Sequence, residues 1–296
     1  MSEGFDVEKY REEMPMDYFK AIELIKEDPS NPIITDAIYK VTRIHIPDKI
    51  YKYYSLTNDD QLNEAKLDTL VKQKVYLSKP SSFNDPFDTK AFFYKPENLM
   101  KFDIFKKCNG KVIDDFSKLS KIACFTRNGV NSMPMWAHYS NNHQGYCIEY
   151  DINNKKNHLL KSCCFPVQYT DKRVDISNIM ENIVEEILQL KEEAKKKNIK
   201  EIKVDNLLII WVSMYYSLLK HKSWSYEKEI RLVINLPSVG EYTDAIPSAI
   251  YIGAKCHEMN KKRLFDIAYT LNIPIYQMEL DEYSLEYELK PNKIKY

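Results

Sequence analysis

The sequence predicts an α+β fold. Segments with the alternation of strands and segments with the three-to-four spacing of helices follow one another, and no repeat divides the chain. We expect strands from distant segments to meet in one sheet system, with helices inserted between them. The 296 residues, 44% of them hydrophobic, can bury one large core or two modest ones.

The N-terminal part of the chain predicts a helical extension. Within residues 8–27, Tyr18 and Ile22 stand at helical spacing among charged neighbours. Prolines then bound a polar connector with a second short element near residues 37–41. We therefore assign residues 1–48 to an N-terminal helical extension.

Residues 49–296 are predicted to form the core domain. Its strands are rich in tyrosine, valine and isoleucine, and its helices place leucine or isoleucine on one face. Residues 173–222 are predicted to form a helical insertion in this domain. The predicted strands are 50–55, 75–78, 122–126, 145–152, 225–236, 249–253 and 275–280, and the predicted helices are 59–74, 134–142, 177–200, 204–219 and 261–271.

Charge and composition exclude several classes of protein. Lysine plus arginine equals aspartate plus glutamate at 43 each, so no overall charge attracts nucleic acid or an anionic membrane. The apolar runs are too short or too interrupted to cross a bilayer, and the N-terminus lacks the apolar segment of a signal peptide. The six glycines form no phosphate-binding loop. These features predict a cytoplasmic protein.

A short aromatic helix is the first candidate site. On a helix, Met135, His138 and Tyr139 share one face, and Gly145 is predicted to end the helix in a left-handed conformation. A surface that combines ring faces with hydrogen-bonding groups suits a planar, polar ligand. The alternative is that Trp136 and Tyr139 anchor the core and His138 is a satisfied buried histidine.

The second candidate site follows the second predicted strand. Asn84, Asp85 and Pro86 form a typical turn sequence, because Asn and Asp bond their own backbone and proline fixes φ. A turn does not require the flanking phenylalanines or Asp88. A binding role for Asn84 or Asp85 therefore stays open beside the turn.

The third candidate site is an acid-rich strand. Period two places Glu227, Glu229 and Arg231 on one face of a strand predicted at 225–236. The alternative is the polar side of a half-exposed strand, where an exposed pair of Arg231 with Glu229 contributes under about 1 kcal/mol. Repulsion between two glutamates on one face argues mildly for a functional role.

The sequence predicts no metal site. His138 and His143 are five residues apart, which rotates them to different faces of a helix, and no His-Glu-x-x-His pattern occurs. A serine hydrolase triad also lacks support, because no Gly-x-Ser-x-Gly elbow is present.

The chain resembles the bacterial family known as domain of unknown function 2971 (DUF2971). The resemblance spans roughly residues 50–253. It is carried by Tyr53-Tyr54-Ser55, Leu77 to Asp88, Cys124-Phe125-Thr126, Met135-Trp136-Ala137-His138-Tyr139 with Gly145 and Glu149, and Trp224 to Arg231.

The order of elements also looks like the ADP-ribosyltransferase fold, which has a split β-sheet core. That resemblance implies a first-strand residue that holds the nicotinamide dinucleotide NAD, a Ser-Thr strand that supports the pocket, a stacking aromatic residue and a catalytic Glu-x-Glu strand. Carried over, Lys52 or Tyr54 takes the first-strand position, Thr126 the second, Trp136 or Tyr139 the stacking position and Glu229 the catalytic one. Together with the candidate sites above, the predicted catalytic residues are Glu229, Glu227 and His138, and the predicted NAD-binding residues are Lys52, Tyr54, Ser55, Asn84, Asp85, Thr126, Trp136, Tyr139 and Arg231.

This resemblance implies an effector that cleaves NAD as a co-substrate and modifies an unknown protein or nucleic-acid acceptor, in bacterial defence or as a toxin by analogy. Two departures stand out: the first strand contains no Arg or His, and Cys-Phe-Thr replaces Ser-Thr-Ser. The missing Arg or His favours a non-catalytic ligand-sensing or interaction module as an alternative. A nucleic-acid-directed effector is a further alternative, which the neutral charge balance disfavours.

Overall fold

The protein is described from a computed structural model. The structure describes residues 18–28, 31–88, 90–111, 120–199, 214–235 and 240–295. The chain divides into two compact units, each built from discontinuous segments. The first, here called the sheet unit, comprises Ile46–Ser78, Lys121–Val167 and Ser223–Tyr296, and the second unit comprises Met1–His45, Lys79–Ser120 and Gln168–Lys222. The predicted boundaries of the extension and the insertion stay a prediction.

Fourteen strands and nine α-helices lie wholly within the described residues. The strands are β1 Lys49–Tyr54, β2 Lys74–Tyr76, β3 Phe92–Phe93, β4 Lys121–Thr126, β5 Tyr146–Asp151, β6 Cys164–Pro166, β7 Gln168–Thr170, β8 Val174–Asp175, β9 Leu219–His221, β10 Glu229–Ile234, β11 Tyr242–Asp244, β12 Ala249–Ile252, β13 Ile275–Leu280 and β14 Leu289–Lys293. The helices are α1 Tyr18–Glu27, α2 Pro32–Arg43, α3 Asp60–Val71, α4 Pro96–Leu99, α5 Asp103–Lys106, α6 Met133–Tyr139, α7 His158–Cys163, α8 Ser177–Lys196 and α9 Glu258–Leu271.

An eight-stranded sheet forms the centre of the sheet unit. Its strand order is β14-β13-β12-β5-β1-β4-β10-β6, and every pair is antiparallel except β12 with β13. Because these strands come from distant segments, the predicted α+β class is confirmed. The eight strands form one continuous sheet, whereas the sequence predicted a split one.

Strand β1 is paired unevenly on its two sides. It pairs with β5 at six positions, from Lys49 opposite Asp151 to Tyr54 opposite Tyr146. With β4, the register contains the pair of Tyr51 and Thr126. β1 is therefore paired with β5 along its whole length, but with β4 at one register position.

The two faces of the sheet have different partners. One face packs its aliphatic side chains, such as Ile50, Ile148 and Ile230, against α3 and α9. The other face carries Tyr53, Cys147 and Tyr251, which pack with Met135 and Trp136 of α6. Since α6 is the aromatic helix singled out in the sequence, this second face is where the candidate residues meet.

Most predicted elements of the sheet unit are confirmed to within a few residues, because their periodicity is strong. The main correction concerns the strand predicted at 225–236, which begins only at Glu229; residues Lys222–Glu227 form a 3-10 helix instead. Of the helix predicted at 204–219, residues 204–213 lie outside the described residues, and residues 214–216 are helical as predicted. Its last residue, Leu219, begins strand β9 instead.

The N-terminal predictions are confirmed where they can be compared. Helix α1 lies within the predicted segment 8–27, of which residues 8–17 lie outside the described residues. The short element predicted near 37–41 is part of the longer helix α2, which Asn31 caps by accepting a hydrogen bond from the Ile33 amide. Pro32 at the first helical position explains why the helix begins there.

Gly145 is required for a different reason from the one predicted. The left-handed residues after α6 are Asn141, Asn142 and His143, with φ of 51°, 54° and 68°. A Cβ added to Gly145 would lie 1.9 Å from the carbonyl oxygen of Tyr54 in strand β1. Close approach to β1, and not a left-handed φ, therefore makes glycine necessary here.

Replacing Gly145 with alanine is expected to lower the free energy of unfolding by about 1–3 kcal/mol, because a neighbouring backbone must move. Urea denaturation measures this change. Gly240→Ala is the matched control, since a Cβ there meets nothing within 4 Å, and its effect should stay within about 0.5 kcal/mol. Equal stabilities of the two variants would contradict the close-approach argument.

The second unit is held together by aromatic and buried polar contacts. Tyr18 of α1 stacks on Tyr215 with ring centroids 4.5 Å apart, and its amide donates to Gln168 Oε1 at 2.7 Å. Lys220 and Asp88 form a buried ion pair with Nζ and Oδ2 3.7 Å apart. No helix among the described residues of either unit is long and apolar enough to span a bilayer.

Candidate active site

Two buried glutamates lie at the start of strand β10. Glu227 and Glu229 are 3% and 5% exposed, and Arg231 is fully buried. Arg231 donates to both carboxylate oxygens of Glu229, from Nε at 2.9 Å and from Nη2 at 3.0 Å. The predicted common face of Glu229 and Arg231 is confirmed, but the pair is buried and bidentate, so it is far from an exposed surface pair.

Glu227 does not share a strand face with Glu229. It ends the 3-10 helix, and Lys228 between the two glutamates has a φ of 42°. A left-handed residue interrupts the alternation of a strand, so the predicted face of Glu227 is wrong. Non-glycine residues with positive φ are uncommon and cost energy, and they concentrate at functional sites.

Thr126, at the end of β4, holds this turn in place. Its register partner is Glu229, and its hydroxyl donates to the Glu227 carbonyl at 2.6 Å. The same hydroxyl accepts from the Asn128 amide at 3.0 Å, while Asn128 Nδ2 donates to the Tyr226 carbonyl at 2.6 Å. Thr126 was predicted to bind NAD; the structure shows it positioning the backbone that carries both glutamates.

Tyr139 of α6 reaches the same site. Its phenol donates a hydrogen bond to Glu227 Oε1. Burial raises the pKa of this phenol well above its ordinary value, and the hydrogen bond to Glu227 and the charges of Glu227 and Glu229 raise it further. Tyr139 is therefore a neutral donor that orients the Glu227 carboxylate.

A row of three rings, here called the aromatic rim, lies beside the glutamates. The exposed His138 ring lies 6.0 Å from the Tyr226 ring, and Tyr226 lies 6.2 Å from the Trp224 ring. Trp224 and Tyr226 are half-buried. Sequence reasoning placed His138 at the site but missed these two rings, although they precede Glu227 directly.

Trp136 is a core residue. It is fully buried, packs edge-on against Tyr53 with centroids 4.9 Å apart, and donates from Nε1 to the Val130 carbonyl at 2.7 Å. Of the two rings that the sequence offered for stacking on a ligand, Tyr139 is the one that borders the glutamates.

The first-strand residues lie differently from the prediction. Tyr51 is opposite Thr126, which is opposite Glu229, so Tyr51 shares the face of Glu229. Alternation puts Tyr54 on the other face, where its ring stacks on Tyr146 at 5.0 Å. Tyr54, which was predicted to bind NAD, therefore does not share the sheet face of Glu229.

Lys52 and Ser55 are engaged by neighbours of β1. Lys52 Nζ donates to the Cys124 carbonyl at 2.9 Å. Burial lowers the pKa of this ammonium, although the negative charge of Glu229 acts in the opposite direction. Ser55 Oγ accepts from Lys66 Nζ at 3.0 Å, which ties β1 to α3. Both predicted NAD contacts thus have structural partners within the sheet unit.

Asn84 and Asp85 belong to the second unit. The Asp85 Oδ1 accepts from the Phe87 amide at 2.9 Å, and the Asp85 carbonyl accepts from the Asp88 amide at 3.1 Å. This is the turn that the sequence predicted, in which an aspartate side chain bonds the backbone two residues on. The NAD-binding role proposed for these two residues stays a prediction.

Sequence reasoning missed a second buried carboxylate on the face of Glu229. Glu149 is 5% exposed, and its two oxygens accept four hydrogen bonds. The donors are Lys49 Nζ at 2.9 Å, Ser248 Oγ at 3.0 Å, Tyr251 OH at 3.0 Å and Tyr51 OH at 3.1 Å. An acid between Ile148 and Tyr150, inside the strand Tyr146–Asp151, was the sequence signal for it.

The register aligns the two carboxylate sites in one row. Glu229, Thr126, Tyr51 and Glu149 stand opposite one another across β10, β4, β1 and β5. Three strand spacings separate the two glutamates, or roughly 14 Å. Tyr51 is thus the β1 residue of this row, and Glu149 accepts a hydrogen bond from its phenol.

The stability contributed by Glu149 should depend on pH. Burial raises the pKa of this carboxyl, but hydrogen bonds from Lys49, Ser248 and Tyr251 outweigh burial and leave the pKa below its ordinary value. A depressed folded-state pKa contributes stability above the unfolded pKa of about 4.3, which is lost as pH falls through the folded value. The wild-type free energy of unfolding should therefore fall as the pH drops below about 4.3.

Glu149→Gln should flatten that acid dependence and lower stability at neutral pH by about 1–3 kcal/mol, since buried donors lose their partner. Urea denaturation at several pH values measures both effects. Ser248→Ala removes one of the donors and should give an intermediate slope. A Glu149→Gln variant that keeps the wild-type slope would rule out this account.

Among the described residues, no three His, Cys, Asp or Glu side chains group closely enough to hold a metal ion.

Comparison with known families identifies one match. Residues 135–232 match the family described as "Protein of unknown function (DUF2971)". This segment runs from α6 into β10, so it contains Tyr139, Glu149, Glu227, Glu229 and Arg231. The DUF2971 resemblance is confirmed over these residues. No curated protein and no solved structure matches the chain, and no ADP-ribosyltransferase is among the matches.

Proposed function

We propose that the sheet unit is a divergent ADP-ribosyltransferase-like domain, which cleaves NAD and transfers the ADP-ribosyl group to an acceptor. The observation that carries this proposal is the convergence of Glu227, Glu229, Thr126 and Tyr139 where β4, β10 and α6 meet. Two buried carboxylates beside an aromatic rim, one accepting from the Tyr139 phenol and the other from the Arg231 guanidinium, suit a reaction that develops positive charge next to a planar leaving group.

The proposed reaction breaks the bond between the ribose C1′ and the nicotinamide nitrogen. Nicotinamide leaves with the bonding electrons, and positive charge develops on the ribose. The Glu229 carboxylate stabilises that charge, as carboxylates do in glycosyl transfer. Glu227, oriented by Tyr139, accepts the proton of the acceptor as its oxygen or nitrogen attacks C1′.

The aromatic rim supplies the binding surface in this proposal. The nicotinamide ring stacks on a ring of the rim or on Tyr139, which excludes water from the reacting carbon. His138 is the exposed member of the rim and contacts the polar part of the substrate. The acceptor is a protein or nucleic acid that the residues of the site do not identify.

A second candidate function is a ligand-binding module without turnover. One observation favours it: Arg231 already donates to both oxygens of Glu229, which compensates the charge that catalysis would use. Lys52 lies on β1, the strand that would hold the dinucleotide, and its ammonium likewise already donates to a backbone carbonyl of the protein. Both proposals use the same residues but differ in whether nicotinamide is released.

Incubating the wild-type protein with NAD separates the two candidates. Nicotinamide release above a protein-free control, with bacterial cell extract supplied as the source of acceptor, supports the transferase. Heat of NAD binding by calorimetry without release supports the binding module. If neither binding heat nor nicotinamide release is observed, NAD is not the ligand in either proposal.

A further inference from the structure

The hairpin of β13 and β14 presents three apolar side chains to solvent at its tip. We call residues 281–288 the hairpin tip. Within it, Tyr283, Leu285 and Tyr287 are 96%, 106% and 91% exposed, which is full exposure. Single exposed apolar residues are ordinary on a protein surface, but three within five positions form a group that commonly marks an interaction site.

The backbone of the hairpin tip is nevertheless ordered. The Asp281 amide donates to the Glu288 carbonyl at 3.0 Å, continuing the β13–β14 ladder. The Tyr283 amide donates to Asp281 Oδ1 at 3.2 Å, and the Glu286 amide to Ser284 Oγ at 3.1 Å. Since the loop is already shaped, a partner would order few additional backbone torsions on binding.

The charge of the hairpin tip is uniformly negative. Residues 281–288 contain four acidic side chains, Asp281, Glu282, Glu286 and Glu288, and no lysine or arginine. The whole chain, by contrast, balances 43 acidic with 43 basic residues. Asp281 pairs with Lys290 of β14, while the other three acids are exposed around the apolar side chains.

We propose that the hairpin tip is a docking site for a partner protein that offers apolar pockets bordered by lysine and arginine. Tyrosines are enriched among the residues that dominate binding energy at interfaces, and two of them bury about 300–500 Å². This is below the area of a standard stable interface on one partner, about 800 Å². The contact is therefore weak by itself, or forms part of a larger interface.

Charge selects a protein over other macromolecules. Nucleic acids and anionic membrane surfaces carry negative charge, which the acids of the hairpin tip repel. Pairing with a second copy at the adjacent sheet edge is opposed by β14 itself, the outermost strand. It carries Pro291, which lacks an amide donor, between Lys290 and Lys293.

The test uses the full chain and a short amphipathic peptide of leucine and lysine as the probe, with binding measured by calorimetry. The peptide should bind the wild type and bind Tyr283→Ser/Leu285→Ser/Tyr287→Ser about tenfold or more weakly. Met259→Ser/Tyr269→Ser removes exposed apolar side chains elsewhere in the sheet unit and is the matched control. It should bind the peptide as the wild type does.

The role of charge is tested separately with the variant Glu282→Lys/Glu286→Lys/Glu288→Lys. This variant should no longer bind the leucine–lysine peptide and should bind a leucine–glutamate peptide instead. Equal binding of the leucine–lysine peptide by wild type and the triple serine variant would overturn the proposal. So would a wild-type dimer that the serine variant converts to monomer, because the occupant would then be a second copy. Serine-sensitive binding to vesicles of anionic lipid would overturn it in favour of a membrane.

Discussion

Replacing Glu229 with glutamine is expected to slow nicotinamide release by a factor of about a hundred or more. Removing one electrostatic stabiliser of a transition state costs about 3–4 kcal/mol, and the amide keeps the size of the side chain but not its charge. NAD affinity should change much less, because the charge on ribose develops only in the transition state. Initial rates at saturating NAD measure nicotinamide release, and calorimetry measures the affinity for NAD.

The control has to separate chemistry from folding, because Glu229 is buried against Arg231. Glu149→Gln serves here, since it removes another buried glutamate from the same sheet face, roughly 14 Å away by strand spacing. It should destabilise the fold yet keep turnover within a few-fold of wild type. If both variants lose turnover in proportion to lost stability, Glu229 has no chemical role and the transferase proposal fails.

Replacing Arg231 with methionine is expected to lower the free energy of unfolding by about 3–5 kcal/mol. The guanidinium is fully buried, and its removal leaves the Glu229 carboxylate buried without its bidentate donor. Removing one partner of a buried ion pair costs more than the pair itself contributes, since the remaining charge has lost its solvent and its partner. Urea denaturation at neutral pH measures the loss.

The double variant Glu229→Leu/Arg231→Met should recover most of that loss. Replacing a buried pair by apolar residues of similar size is often neutral or stabilising, because no charge is left in the core. The cycle of two single variants and the double variant therefore should be strongly non-additive. If the losses in the free energy of unfolding were additive, the Glu229–Arg231 pair would contribute no coupling energy, and other contacts would hold each residue.

Periodicity was sufficient to predict the elements that build the site. The strands around Ile50, Ile122 and Ile275 and the helix around Trp136 alternate or repeat clearly, so their existence follows from side-chain pattern. The common face of Glu229 and Arg231 follows from the period of a strand alone.

Features that depend on backbone conformation or on distant pairing could not be predicted. Nothing in the sequence around Lys228 signals its left-handed φ, which moves Glu227 out of the strand. Whether Trp136 or Tyr139 faces the glutamates depends on how α6 rotates on the sheet. The Glu149 network joins residues about a hundred positions apart, so it appears only once the strand register is known.

The uneven pairing of β1 has a mechanical consequence. Six register pairs bind it to β5, whereas on the side of β4 the described strands share the pair of Tyr51 and Thr126, supplemented by the bond from Lys52 to Cys124. Glu149 therefore lies on the densely paired side of β1, and Glu229 lies on the sparsely paired side. A force that spreads the sheet is expected to separate β1 from β4 first, because these two strands share the fewest register pairs. The distance between the two carboxylates would then increase, while the pairing of β1 with β5 and of β4 with β10 stays intact.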